Sequence, residues 1–272
     1  MVQPLRALTL AAIAGLGTIA VSSCGTVQPT HSENSATLPQ QISSIRLDMD
    51  AGGVTVEGRA DAGPVALKRY FSYHGAKPSD VTYRVDNGQL VLGGCGQDCA
   101  VTYTLTVPAN LPVSGTTTTG VITLSSVGSV DVSTHDGHVQ LDTVAGPVKV
   151  ETTNGRIQGQ AINGSKVEAK TSNGSIDLTL AAAQDVRAET TNGSINLVVP
   201  NGSYQVSAET TNGRKNVDVP STPAGRYHLD MRTSTVKSRS NPPDSRDTET
   251  SRPRPLGTDT RDHPSVTGPS CR

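Results

Sequence analysis

Four stretches of this chain are nearly the same phrase. Val148-Lys-Val-Glu-Thr-Thr-Asn-Gly155 recurs as Val167-Glu-Ala-Lys-Thr-Ser-Asn-Gly174, as Val186-Arg-Ala-Glu-Thr-Thr-Asn-Gly193 and as Val206-Ser-Ala-Glu-Thr-Thr-Asn-Gly213. The asparagines fall at 154, 173, 192 and 212, a period of 19, 19 and then 20 residues. A fixed period of this length marks stacked structural units. Inside each unit Val148, Val150 and Thr152 alternate with Lys149, Glu151 and Thr153, the pattern of a strand with one buried and one wet face. Asn-Gly, the pair that best tolerates positive φ, is then expected to turn the chain. A second alternating run follows, Ile176, Leu178 and Leu180 in one unit and Ile195, Leu197 and Val199 in the next.

Two short strands and two turns per period fit either consecutive hairpins or one coil of a solenoid. The columns favour the solenoid. Val148, Val167, Val186 and Val206 align, as do Thr152, Thr171, Thr190 and Thr210, and then Asn154, Asn173, Asn192 and Asn212. Coils hydrogen-bonded in register, about 4.8 Å apart, stack like on like and let asparagine amides form a ladder. The outward charges agree. Lys149, Glu168 and Arg187 form one column and Glu151, Lys170 and Glu189 another, so signs alternate between neighbouring coils. The repeat decays backwards through Val130–Gly137, where Asp136 replaces the asparagine, to Val113–Gly120. It runs forwards to Leu229–Thr235, which lacks Asn-Gly, and Lys215 takes an inward position held elsewhere by isoleucine. Terminal repeats of a stack are atypical caps. The expected fold is all-β, a single-stranded β-solenoid (β-helix-like) with coils of about 17–20 residues over 42–238.

Aromatic residues make up 3% of the 272, with no tryptophan and one phenylalanine, Phe71. A thin solenoid needs only a narrow file of Val, Ile and Leu. The formal net charge of −1 offers no electrostatic attraction for nucleic acid or an anionic surface. Residues 1–23 read as a signal peptide, with Arg6 before the apolar run Ala7–Val21. Val21-Ser22-Ser23-Cys24 resembles the bacterial lipobox, which implies acylation of Cys24 and a palmitate-type lipid anchor on the extracytoplasmic side of the cell membrane. Residues 24–41 read as a polar tether. Residues 239–272, rich in Pro, Ser, Thr, Arg and Asp, read as a disordered tail.

Residues 42–237 resemble the bacterial putative-adhesin family of β-strand-repeat proteins, a domain of unknown function. The resemblance rests on Leu105-Thr-Val-Pro-Ala-Asn-Leu-Pro112 and on the recurring Thr-x-Asn-Gly-x-Ile-x-Leu. It implies an architecture and frequent membrane attachment, and it brings no catalytic residue. The long tail and the missing Asn-Gly of the last unit depart from the family pattern.

Candidate chemistry is sparse. In an exported chain Cys95 and Cys99 are expected to form a disulfide, since a metal pair lacks two further ligands and a redox dithiol is typically Cys-x-x-Cys. Cys271 is left over. His135 and His138 flank one turn and read as solvated, and no metal or cofactor is expected. Carboxylates are spread one per strand beside Lys or Arg, without the clustered pair of a glycosidase, so no catalytic residue is expected and a carbohydrate-active β-helix enzyme ranks last. An outward file of Thr153, Ser172, Thr191 and Thr211 is single, where ice-binding solenoids present two. The residues expected to matter structurally are the turns Asp136-Gly137, Asn154-Gly155, Asn173-Gly174, Asn192-Gly193 and Asn212-Gly213. The functional expectation is a membrane-anchored, non-catalytic adhesion or interaction module whose partner is an envelope protein or glycan. A structural spacer or envelope-stress accessory is the alternative.

Overall fold

The computed structural model of the chain describes residues 28–78, 82–212, 215–235 and 238–241. The signal peptide, Cys24, Gly213, Cys271 and tail residues 242–272 lie outside the described residues. Alternating sequence gives alternating burial throughout. Seven strands open the chain: β1 (Thr30–Leu38), β2 (Ser44–Ala51), β3 (Val54–Arg59), β4 (Val65–Tyr73), β5 (Tyr83–Asp86), β6 (Gln89–Gly93) and β7 (Cys99–Pro108). Five regular two-strand coils follow. They are β8 (Val113–Thr119) with β9 (Ile122–Val127), β10 (Val130–Asp136) with β11 (Val139–Val144), and β12 (Val148–Asn154) with β13 (Ile157–Ile162). Next come β14 (Lys166–Asn173) with β15 (Ile176–Leu180), and β16 (Asp185–Asn192) with β17 (Ile195–Val198). The last elements are β18 (Tyr204–Asn212), β19 (Lys215–Val217), β20 (Tyr227–Thr235) and β21 (Ser238–Asn241).

These strands form a flattened solenoid. Its two walls are a ten-stranded sheet, ordered β18-β20-β16-β14-β12-β10-β8-β2-β6-β5, and an eleven-stranded sheet, ordered β1-β4-β7-β3-β9-β11-β13-β15-β17-β21-β19. Coil-to-coil pairing is parallel and in register. Val130 aligns with Val148, Val148 with Val167, and Val167 with Val186. On the other wall Ile122, Val139, Ile157, Ile176 and Ile195 align in turn. Their side chains meet between the walls and are almost fully buried. The non-local parallel pairing excludes the alternative of consecutive hairpins.

The Asn-Gly corner differs from expectation in its cause. Gly137, Gly155, Gly174 and Gly193 do not adopt left-handed φ, and neither do Asn154, Asn173 and Asn192. Glycine is required there because the coils touch: a Cβ on Gly155 would stand 1.9 Å from the Gly137 carbonyl oxygen, and one on Gly174 1.9 Å from that of Gly155. The buried threonine two residues before each asparagine uses the same proximity. Thr152 Oγ1 donates to the Gly137 carbonyl at 3.1 Å, Thr171 Oγ1 to Gly155 at 3.1 Å and Thr190 Oγ1 to Gly174 at 3.0 Å. Positive φ survives at this corner only in the earlier coils, at Gly52 (φ 113°) and Gly120 (φ 147°); in the regular coils the non-glycine left-handed residues lie at another corner, on Ser126 (φ 54°), Thr143 (φ 55°) and Ala161 (φ 50°). Each inserts an extra residue, so that Val127, Val144 and Ile162 turn back into the core.

Both ends are interleaved, where a simple stack in chain order was expected. The coil β2–β3 sits between β6–β7 and β8–β9, and β20–β21 sits between β16–β17 and β18–β19. The expected Val186–Val206 contact is therefore replaced by Val186–Leu229 and Leu229–Val206. Burial and charge both favour this order. Leu229 and Met231 on β20 are fully buried, whereas the smaller Val206 and Ala208 on the terminal β18 are half-buried. In chain order Glu189 would face Glu209. With β20 between them, Arg232 reaches Glu189 at 4.0 Å and Glu209 at 3.6 Å.

The tether expectation for 24–41 is corrected as well, because β1 lies within it. β1 pairs antiparallel with β4, itself antiparallel to β7. Its polar composition suits a sheet edge. Glu33 pairs with Lys68 at 2.6 Å, Asn34 accepts a hydrogen bond from Arg69 at 2.7 Å, and His31 stacks on Tyr70. At the other end strand structure reaches Asn241, past the boundary expected at 238. Beneath the N-terminal cap Tyr103 is fully buried, its hydroxyl 2.6 Å from the Thr82 carbonyl and 2.8 Å from that of Gly93.

Gly155→Ala forces the corner open and is expected to lower stability by about 3 kcal/mol, whereas Gly63→Ala, with open space around the position, leaves the urea midpoint unchanged. Burial pushes the Tyr103 phenol up from 10.0 to about 12. The fold holds the neutral phenol, so this contribution is complete below pH 10 and is lost as pH rises toward about 12. Urea melts across that window are expected to show stability falling with pH, with a shallower fall in Tyr103→Phe.

Candidate functional site

The sequence-predicted turn residues do come together, as struts. Asn154 Nδ2 donates to Asp136 Oδ1 at 2.7 Å, Asn173 Nδ2 to Asn154 Oδ1 at 2.8 Å and Asn192 Nδ2 to Asn173 Oδ1 at 2.9 Å. Each central amide thus gives one hydrogen bond and accepts one along the axis. Asn212 is not part of this run, because β20 places Thr235 between its position and Asn192. Cys95 and Cys99 form the expected disulfide, with Cα atoms 5.6 Å apart, closing the loop between β6 and β7. His135 and His138 diverge. His138 Nδ1 accepts the Arg156 amide at 2.9 Å, while the exposed His135 lies 3.9 Å from Asp136. Among the described residues no group of three or more His, Cys, Asp or Glu is placed to hold a metal ion.

The outer face of the ten-stranded sheet carries an ordered array of charges. Strand alternation turns two charged columns outward. One runs Asp131, Lys149, Glu168, Arg187, Asp230, and the other Glu151, Lys170, Glu189, Arg232, Glu209. Signs alternate along each column and also along each strand from β12 to β20. The resulting checkerboard is knitted by Lys149–Asp131 at 3.8 Å, Lys149–Glu151 at 3.9 Å, Arg187–Glu189 at 2.6 Å and Arg232–Asp230 at 3.3 Å. Sequence order showed Lys149, Glu168 and Arg187 in one column and Glu151, Lys170 and Glu189 in the other; Asp230 and Arg232 arrive from a later strand.

Beside the second column runs a hydroxyl file: Thr118, Thr153, Ser172, Thr191, Ser234 and Thr211, with His135 in the same row. Between the file and the charges lie two shallow depressions, of about 350 Å³ near β8–β14 and about 520 Å³ near β14–β18. The two share Lys170, so they form one interrupted groove along the solenoid axis.

Charge pairing shifts two groups of this face. The hydrogen bond from Lys166, and after it the charges of Lys166, Arg187 and Lys149, hold the Glu168 carboxyl below the usual range. Glu189 in turn raises the Arg187 guanidinium. Fixed charges in such a lattice orient polar partners without attracting one sign of charge over the other.

Comparison with known proteins points to the architecture. A match to the curated proteins is not found. Among solved structures the chain is similar to a putative cell adhesion protein from Clostridium sporogenes, at 12% identity over 79% of this chain and 100% of the other, with a TM-score of 0.35. It is also similar to a putative adhesin from Bacteroides fragilis, at 12% identity over 78% and 97%, TM-score 0.46. A putative adhesin from Parabacteroides merdae matches at 9% identity over 77% and 95%, TM-score 0.44. The Toastrack DUF4097 family model matches residues 37–242, from the end of β1 through the last strand of the interleaved end, and the chain belongs to that family.

Proposed function

We propose that this chain is a non-catalytic interaction module, anchored through Cys24 to the extracytoplasmic face of the cell membrane, that binds an envelope glycan or protein along the ten-stranded sheet. The supporting observation is the groove between the alternating charges and the hydroxyl file. It is long, shallow, polar and electrically balanced, which suits many weak contacts with an extended polar partner. Carboxylates on this face stand next to bases, whereas hydrolysis of a glycosidic bond needs one carboxyl kept protonated. Glu168, the face carboxyl with a resolved shift, is moved the opposite way. The names of the similar solved structures run in the same direction as this reading and add no weight to it.

The test is a cross-linking pull-down from intact cells, with identification of retained proteins and glycans. The expected result is a discrete partner whose recovery falls at least about tenfold when Thr153→Arg and Thr191→Arg fill the groove, a loss of about 1.4 kcal/mol or more in affinity. Gln140→Arg, on the exposed face of the other sheet, should leave recovery unchanged. An eluate indistinguishable from an untagged strain would sink the proposal and favour a spacer.

A further inference from the structure

β18 is stacked two coils away from a strand whose sequence it copies. Val206-Ser-Ala-Glu-Thr-Thr-Asn212 repeats Val186-Arg-Ala-Glu-Thr-Thr-Asn192 except at one outward residue, yet β20 separates them. Among the described strands β18 and β19 join the sheets only through β20 and β21. The interleaved coil is thus a wedge between two surfaces built to fit each other.

Direct stacking of β18 on β16 would repeat contacts already present between β14 and β16. Val206 would meet Val186, Ala208 would meet Ala188, and Asn212 would extend the ladder from Asn192. Thr210 would reach the Gly193 carbonyl that Thr233 Oγ1 now occupies at 2.9 Å. The linker imposes no choice. Residues 199–203 join β17 to β18, one residue more than the 181–184 link between β15 and β16, and five residues readily span one or two coil spacings. Against direct stacking stand Glu189 beside Glu209 and Lys215 at the register of Ile195. For the wedge stand the parallel pairing of β20 with both neighbours, the full burial of Leu229 and Met231, the Arg232 contacts to both glutamates, the Tyr204–Tyr227 ring contact at 6.0 Å and the His228 amide on Asp185 at 2.8 Å.

We infer that β20–β21 is a removable wedge, and that on its withdrawal β18–β19 steps inward by one coil onto β16–β17. The step is about 4.8 Å. It frees β20 and β21 for another contact while the solenoid keeps a closed end. Burial of Leu229 and Met231 holds the wedge in, and the charges at Arg232 and Glu209 shift the balance between the two packings.

Engineered cysteines in the full chain, with Cys24 and Cys271 changed to serine, test this. Thr191→Cys with Ser234→Cys joins neighbours in the wedged packing. Thr191→Cys with Thr211→Cys lies two strand spacings apart, about 9.6 Å, beyond the roughly 7 Å limit for a disulfide, until β18 steps inward. Thr153→Cys with Thr191→Cys spans the same distance across β14 and serves as the control. The expected result is an intrachain 191–211 disulfide that forms about tenfold faster when Glu209→Lys is added, with the 191–234 bond slowed and the control pair reduced throughout. Three outcomes overturn the inference: a 191–211 pair that stays reduced with and without Glu209→Lys, a control pair that oxidises as fast, or a 191–211 bond that joins two chains.

Discussion

The contact on which this fold depends is the one between successive glycines at the Asn-Gly corner. There the backbone of one coil rests on the carbonyl of the coil before it, leaving no room for a side chain. That approach lets the buried threonine hydroxyl reach the exposed carbonyl and lets the asparagine amides span one coil spacing. Three residue types in fixed order thus satisfy one corner's polar groups, which a solenoid with so few aromatic side chains cannot leave buried and unpaired. Once the corner is fixed, register follows, and register puts valine on valine and isoleucine on isoleucine along the core.

Register alone does not fix the order of the coils. A repeat that fits its neighbour also fits its neighbour's neighbour, and burial separates the two orders: Leu229 and Met231 are fully buried on β20, while the smaller Val206 and Ala208 take the half-buried terminal place on β18. Exposed ion pairs contribute little each, about 0–1 kcal/mol, and they act in the same direction here. Placing Arg232 between Glu189 and Glu209 replaces a repulsive contact by an attractive one. The checkerboard therefore reinforces the topology more than it adds stability, and it also leaves the outer face without a dominant sign of charge.

Much of this was legible from the chain. The alternation of Val148, Val150 and Thr152 marked the strands, the aligned columns marked parallel stacking, and the spacing of Cys95 and Cys99 marked their bond. The role of glycine was misread, because Asn-Gly in isolation signals backbone conformation while here it signals proximity, which no single repeat reveals. The left-handed Ser126, Thr143 and Ala161 carry no compositional signal at all. β1 was hidden by its polarity: an edge strand held by backbone pairing and a few side-chain contacts shows no buried stripe. The groove was half visible, as a threonine file, but its charged wall needed the position of β20.

Regularity acts in two directions in a repeat fold. Identical coils give a long face with a constant spacing, which suits many weak contacts, but they also admit more than one assembly of the same chain. Uniqueness must then come from the irregular residues. The antiparallel cap of β1, β4 and β7 fixes one end with a disulfide and buried Tyr103 nearby. The other end relies on Arg232, on the Tyr204–Tyr227 contact and on a coil whose partners copy each other. The two ends thus differ in how strongly they specify a single arrangement. The physical asymmetry runs from an N-terminal cap with its own antiparallel strands and disulfide to a C-terminal end closed by repeat-like coils, whose order is set by the buried Leu229 and Met231 and by Arg232.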